Sequence, residues 1–487
     1  MGVVKRIIVT VLLICIMLLP VACGSNNARI YVSLDSMPKT LDPQTAESDS
    51  ELLIARNIYE GLTRQDKDGK IVLAAAKSYD FTALTYTFTL RDNLKWSNGE
   101  TIVADDFVFG IRRALLPETR APFARLLYCI KGAKEVNTGG APADTLCVTA
   151  TDSKTLKIEL TYNDADFLKT LSMPVSMPCS EEFFINSTGK YGLEKEYVLS
   201  CGTYYIARWN KAENGIRLYN NEEYTGAFKA KNSGIFIAKD KEKTVSEKLL
   251  NGDSDIALLP SKHLPDISGG DVKTVSVQNI CWVLSLGGEF TDNIRQALCM
   301  CVSPEVYAKE LPEGFAPAKS IFPASLGVSA PDDDWAVSYD SVLPQSLISG
   351  EIKNFKNKKF PQTTLIYSQS EPMRPAITGI VGNWQNRLSA FINIKSTDKS
   401  LADELKTHTL SVCALPVKAD STVGEYLYKF GVGYTGDAQA AYAKARGVYN
   451  LLPIAFEDTT VGYLKNISGV YMNATGGYID FSYVVKK

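Results

Sequence analysis

One stretch constrains the chain more than any other: Leu90-Arg91-Asp92-Asn93-Leu94-Lys95 running directly into Trp96-Ser97-Asn98-Gly99-Glu100-Thr101-Ile102-Val103-Ala104-Asp105-Asp106-Phe107-Val108-Phe109-Gly110-Ile111-Arg112-Arg113. An aromatic leads into Asn98-Gly99, a dipeptide that admits positive φ and therefore turns the chain. Phe107, Ile111 and Ala114 or Leu115 then recur at helical spacing, with Thr101 or Asp105 placed to cap that helix. No side chain in the run is reactive. Its local physics is that of a strand-turn-helix junction.

In order and spacing the run resembles the signature of the extracytoplasmic solute-binding proteins of family five, receptors of ABC importers for oligopeptides, dipeptides and nickel. The pattern Leu-Arg, Lys-Trp-Ser-(Asp/Asn)-Gly, Thr-Ala-x-Asp-Phe-Val-Tyr-Ser and a closing Arg is met by Leu90-Arg91, Lys95 to Gly99, Ala104, Asp106 to Val108 and Arg113. Val103 stands for the usual Thr, Phe109 for Tyr and Gly110 for Ser, and no Pro follows Glu100. Thr40-Leu41-Asp42-Pro43, Tyr59-Glu60-Gly61-Leu62, Cys201 to Trp209, Ile216 to Tyr224 and Phe290 to Leu298 resemble further family segments. The resemblance runs from about Ile30 to Val485, thins after Gln278, and lies nearest the oligopeptide-binding branch.

Composition sets outer limits. A chain of 487 residues is too long for one ordinary domain. Its net charge of -2 gives no reason to expect nucleic-acid binding. Only His263 and His408 exist, which leaves little material for a histidine metal site or a Ser-His-Asp hydrolase. No nucleophile elbow, phosphate loop, zinc spacing or carboxylate pair is present, Gly287-Gly288 being too little, so an exported hydrolase is the least supported reading.

The N-terminus reads as a secretory signal. Lys5 and Arg6 precede the apolar run Ile7 to Leu19, too short to span a bilayer. Pro20-Val21-Ala22-Cys23-Gly24-Ser25 resembles a bacterial lipobox, with Pro20 where Leu is typical; ordinary signal cleavage is the alternative. That resemblance implies acylation of Cys23 and a lipid anchor on the outer face of the cytoplasmic membrane. Setting aside Cys15 and Cys23, eight cysteines remain. Disulfides are permitted in an exported chain, with Cys129 and Cys147, and Cys179 and Cys201, as the nearest pairs.

Strand patterns at Ile30 to Leu34, Tyr86 to Leu90 and Asp152 to Leu160 alternate with helical ones at Asp49 to Asn57 and Leu126 to Ala133, which points to an α/β core. Asp66-Lys67-Asp68-Gly69 reads as a hairpin turn. The resemblance implies the periplasmic-binding-protein-like type II fold: two main lobes with a hinge plus an extra subdomain. The expected division is 1–22 signal peptide, 23–58 with 175–270 and 450–487 as lobe I, 59–174 as lobe II, the extra subdomain, and 271–449 as lobe III. The chain is expected to cross between lobes near Tyr59, near Pro174 and after about Asn450.

What the resemblance implies for function is a non-enzymatic, monomeric receptor without cofactor, which encloses a peptide between its lobes and passes it to permease subunits. The family's strand edge before Leu-Asp-Pro falls on Ser36, Met37 and Pro38, of which Pro38 offers only a carbonyl. Its aromatic wall falls on Phe123 or Tyr128, which read more readily as core. The carboxylate that holds the ligand's amine belongs to a Gly-Trp-x-Ala-Asp-Tyr segment. Here Cys413-Ala414-Leu415-Pro416-Val417-Lys418-Ala419-Asp420 has diverged, and Asp420 lies one position off. The ligand-facing set is thus Ser36, Met37, Pro38, Phe123, Tyr128, Ala414, Lys418 and Asp420. Lys418 could instead prefer an acidic ligand, or the two charges could be merely solvated. This divergence keeps open a receptor for a non-peptide solute, a sensor or an adhesion protein on the same fold.

Overall fold

The computed structural model describes residues 28–212, 215–239, 242–267, 271–287, 290–328, 342–355, 357–368, 373–397, 411–419, 421–430, 432–433, 438–446, 451–473 and 476–487. Cys23 and Asp420 lie outside them.

β1 (Ile30–Ser33) opens the first core, burying Ile30 and Val32 on one face. Helix α1 (Asp49–Ile58) starts at a capping box in which Ser48 Oγ accepts from Glu51 N and Glu51 accepts from Ser48 N. Glu51 also accepts from the amides of Lys39 and Thr40, fastening the segment after Pro38 to the helix. Burial raises its pKa, but the amides of Glu47, Ser48 and Lys39 outweigh that and hold it below the ordinary range. Antiparallel strands β2 (Ala76–Thr82) and β3 (Thr85–Leu90) lead into the signature stretch.

There Trp96 is buried, and Gly99, at φ +90°, returns the chain so that Trp96 N donates to Glu100 O at 2.9 Å. Helix α2 (Ala104–Leu115) follows. Its N-cap is Val103, not Thr101 or Asp105: Asp106 Oδ2 accepts from Val103 N at 2.9 Å, so the third helical residue satisfies an orphan amide from inside. Gly110 is required by packing, because a Cβ there would lie 2.3 Å from the carbonyl oxygen of Met177. Leu126 to Ala133 is not one helix. A 3₁₀ turn at Ala124–Leu127 and a short helix at Ala133–Asn137 are separated by Gly132 at φ +84°.

β4 (Val148–Asp152) and β5 (Thr155–Glu159) complete a four-stranded sheet in the order β2-β3-β5-β4. β6 (Tyr204–Asn210), β7 (Gly215–Asn220), β8 (Ile235–Ala238) and β9 (Ile256–Leu259) extend the sheet that holds β1. The separated sequence signatures meet here: buried Glu60 accepts from Arg91 Nη2 at 2.8 Å and from the Tyr224 hydroxyl, and Arg64 reaches both Glu60 and Asp480.

The second core begins on β10 (Val272–Leu286) and continues through α3 (Asp292–Met300), β11 (Thr363–Ser368), α4 (Arg374–Leu388), β12 (Ile392–Thr397), β13 (Ser411–Lys418) and α5 (Val423–Lys429). β11 pairs in parallel with β12 and β13, and α4 bridges β11 to β12 as a crossover. β14 (Leu451–Leu464) returns antiparallel to β10 over nearly its whole length. One sheet, in the order β12-β11-β13-β10-β14-β9-β1-β8-β7-β6, therefore runs through both cores.

Tyr59, Leu62, Val175 and Met177 all belong to the first core, so residues on both sides of the expected lobe II share one buried cluster. The chain crosses between the cores on β10 and β14: Val275 and Val461 pack in the first core, Cys281 and Ala455 in the second. Cys129, Cys147, Cys179 and Cys201 are unbridged thiols, three of them buried, so neither of the two nearest pairs is joined. Among the described residues no helix is long and apolar enough to cross a membrane.

Candidate ligand cleft

The ladder between β10 and β14 slips between Gln278 and Ile280, where Gln278 faces Asp458 and Ile280 faces Glu457, and again between Trp282 and Val283. Asn279 is the residue left over, fully buried at the crossing. Its carbonyl accepts from Ala419 N at 2.7 Å and its Oδ1 from Thr459 Oγ1 at 2.7 Å. This bulge ties the end of β13 to the crossing strands, and bulges are where a ladder bends.

A cavity of about 270 Å³ opens beside the bulge. Asp35, Ser36 and Asp49 line it from the first core, Ser261 from the turn after β9, and Glu457 to Thr460 from β14. Glu457 is 8% exposed and accepts from Ser261 Oγ at 2.6 Å and from Trp282 Nε1 at 2.8 Å. Burial raises the Glu457 carboxyl, while those two donors and Lys418 pull it back. Asp458 is half-buried, and burial alone pushes its carboxyl up. Lys418, at the end of β13, spans the cleft and donates to Asp49 Oδ1 at 2.5 Å.

A second crevice of about 340 Å³ lies between residues 125–166 and 422–433. The Arg125 guanidinium sits 3.2 Å over the Tyr428 ring and 5.3 Å from that of Tyr128, whose hydroxyl donates to Asn137.

Of the residues singled out in the sequence, Ser36 lines the first cavity and Lys418 bridges its mouth. Met37 is half-buried against the first core and Pro38 is buried beside it. Tyr128 lines the second crevice. Phe123 and Ala414 are not in the cleft. Phe123 packs in the first core, and Ala414 is fully buried in the second, because alternation on a central strand turns its side chain inward. Glu457, Asp458, Ser261 and Asn279 were not singled out. The one signal for them is the polar run Glu457-Asp458-Thr459-Thr460 interrupting a strand of apolar residues.

A model of the bacterial extracellular solute-binding proteins, family 5, matches residues 70–428. The chain belongs to that family. It is 27% identical over 365 residues to a dipeptide-binding protein of Lactococcus lactis subsp. cremoris, covering 68% of this chain and 66% of that one. It is 25% identical over 393 residues to the oligopeptide-binding protein OppA of Bacillus subtilis, covering 77% of this chain and 72% of that one. The fold matches that of the solved pheromone receptor PrgZ with a TM-score of 0.77 at 22% identity, over 94% of this chain and 100% of that one. As a family 5 solute-binding protein the chain has the type II fold, and the two strands between its cores are positioned as a hinge.

Proposed function

We propose that this family 5 protein captures oligopeptides in the cleft at the β10–β14 crossing and delivers them to the permease of an ABC importer. The observation that carries the reading is the cavity itself: it lies between the first core and the crossing strands, against a bulge on the only two strands seen to join the cores among the described residues. Closure about such a crossing buries a ligand from both sides. Extended peptides pair through their main chain, which makes binding tolerant of ligand sequence. Support for a peptide also comes from the relatives named above as dipeptide- and oligopeptide-binding proteins. We further propose that Cys23 carries a lipid anchor on the outer face of the membrane, and that residues 59–174 act as a subdomain packed on the first lobe.

Thermal unfolding scanned against random peptide pools tests the reading. A ligand at a hundred times its Kd adds about 2.7 kcal/mol to the native state, which raises Tm by several degrees. No shift with any pool turns the reading to a non-peptide solute, which the diverged strand Ser411–Lys418 favours. The anchor is tested separately by metabolic labelling with a fatty acid, which a Cys23→Ser chain must lose.

A further inference from the structure

The sheet of the first core has one face packed and one face open. Ile30, Val32, Ile216, Leu218, Ile235 and Ile237 fill the packed face. On the other face the register places Tyr31 beside Phe236, Phe236 beside Arg217 and Arg217 beside Arg208, a row across β1, β8, β7 and β6. Arg29 and Arg217 lie 5.2 and 5.0 Å from the Phe236 ring, and Tyr31 meets that ring edge-on at 5.3 Å. Tyr219 and Tyr205 continue the aromatic surface along β7 and β6. A shallow depression of about 210 Å³ runs over the row, and Tyr31 is 43% exposed.

The row carries Arg29, Arg217 and Arg208, and two described acids beside it are matched by lysines: Asp253, which lines the depression, is paired with Lys243 at 2.7 Å, and buried Asp255 with Lys486 at 2.8 Å. Arg29 and Arg217 are held over the Phe236 ring, an arrangement compatible with a charged guanidinium.

We propose that this face seats on the anionic phospholipid headgroups of the membrane. Arginine forks match phosphate, and amphipathic rings rest at headgroup depth. Position agrees with charge, because Arg29 follows Cys23 by a short segment and enters β1 at the edge of the row. The surface acts with or without acylation at Cys23; an anchor there raises its local concentration at the bilayer.

The test is sedimentation of the full chain carrying Cys23→Ser with vesicles of phosphatidylcholine alone or mixed equally with phosphatidylglycerol. The expected result is binding to the anionic vesicles only, weakened as salt shortens the Debye length. Each cation near an anionic surface contributes about five-fold, so Arg29→Glu with Arg217→Glu lowers binding by more than tenfold at unchanged Tm. Arg29→Gln with Arg217→Gln serves if the reversal disturbs folding. Lys67→Glu with Lys131→Glu, remote exposed lysines, leaves binding within about twofold. Failure to bind anionic vesicles, equal binding to neutral ones, or equal loss in both variant pairs overturns the proposal. So does binding that appears only with the permease embedded, which would assign the face to a protein partner.

Discussion

Arg113 and Asp42, on separate signature segments, form an ion pair sealed inside the first core, with side chains only 5% and 7% exposed. Gln44 Oε1 takes a second guanidinium hydrogen at 2.5 Å, and the rings of Phe184 and Tyr191 lie against the guanidinium plane at 4.5 and 4.9 Å. The pair joins α2 to the Leu41-Asp42-Pro43 segment that leads into the cleft. Removing one partner strands a buried charge, so Asp42→Ala should cost about 3 to 5 kcal/mol in urea unfolding. Replacing both, with Asp42→Leu and Arg113→Met, should cost less than the single change. If Asp42→Ala unfolds like the wild type, the pair contributes nothing.

Trp96 is 1% exposed and donates through Nε1 to Asp106 at 3.4 Å. It lines neither the cleft cavity nor the crevice. Trp96→Ala should therefore cost about 3 to 5 kcal/mol of stability while ligand affinity changes little. A large loss of affinity in a folded variant would place Trp96 in the ligand site instead.

Burial pushes the Asp106 carboxyl up to about 6, against the Val103 amide and Trp96 indole that favour its charged form. The folded state thus holds this proton more tightly than the unfolded chain, whose value is near 3.8. Its contribution to stability is full at low pH and is lost as pH rises toward 6. Asp106→Asn should remove that slope, gaining on the wild type by about 2 kcal/mol between pH 4 and 7. Chemical unfolding of both proteins across this range measures it; parallel pH profiles would contradict it.

Because Cys129, Cys147, Cys179 and Cys201 are unbridged, reductant should leave Tm unchanged within error. A structural disulfide typically contributes 2–4 kcal/mol, so a fall of several degrees under reductant would reveal one. Buried Cys179, raised to about 11 mainly by burial and opposed by Arg113, should resist alkylation until the chain unfolds.

The signature stretch was legible because its constraints are local and steric. Asn98-Gly99 needs a positive φ, Trp96 needs a pocket, and Gly110 needs room for the Met177 carbonyl. The partners that explain it were not legible, since Glu60, Arg91 and Tyr224 meet only through the fold. The helix expected over Leu126–Ala133 failed at Gly132, whose positive φ interrupts an otherwise helical apolar pattern. Ser36 and Lys418 were reached by position relative to motifs, and they lie at the cavity wall and against Asp49. Ala414 was misplaced because a segment can be named from sequence while the direction of each side chain depends on strand register. Glu457 and Asp458 were hidden in a strand that serves both cores.

The pairing of Lys418 with Asp49 across the cleft mouth bridges the two cores. Asp49 is well exposed, so the pair is worth under about 1 kcal/mol. Lys418→Ala should weaken ligand binding by no more than about fivefold, with Tm unchanged; a loss of a hundredfold would mean that Lys418 contacts the ligand itself.

A peptide in the cavity beside Asn279 is detected by calorimetric titration of one tight-binding peptide against wild type and Ser36→Trp. Ser36 is exposed at the cavity wall, so the indole fills the space without disturbing either core. Saturable binding to the wild type and none to Ser36→Trp at equal Tm is the expected result; equal binding to both proteins would place the peptide elsewhere.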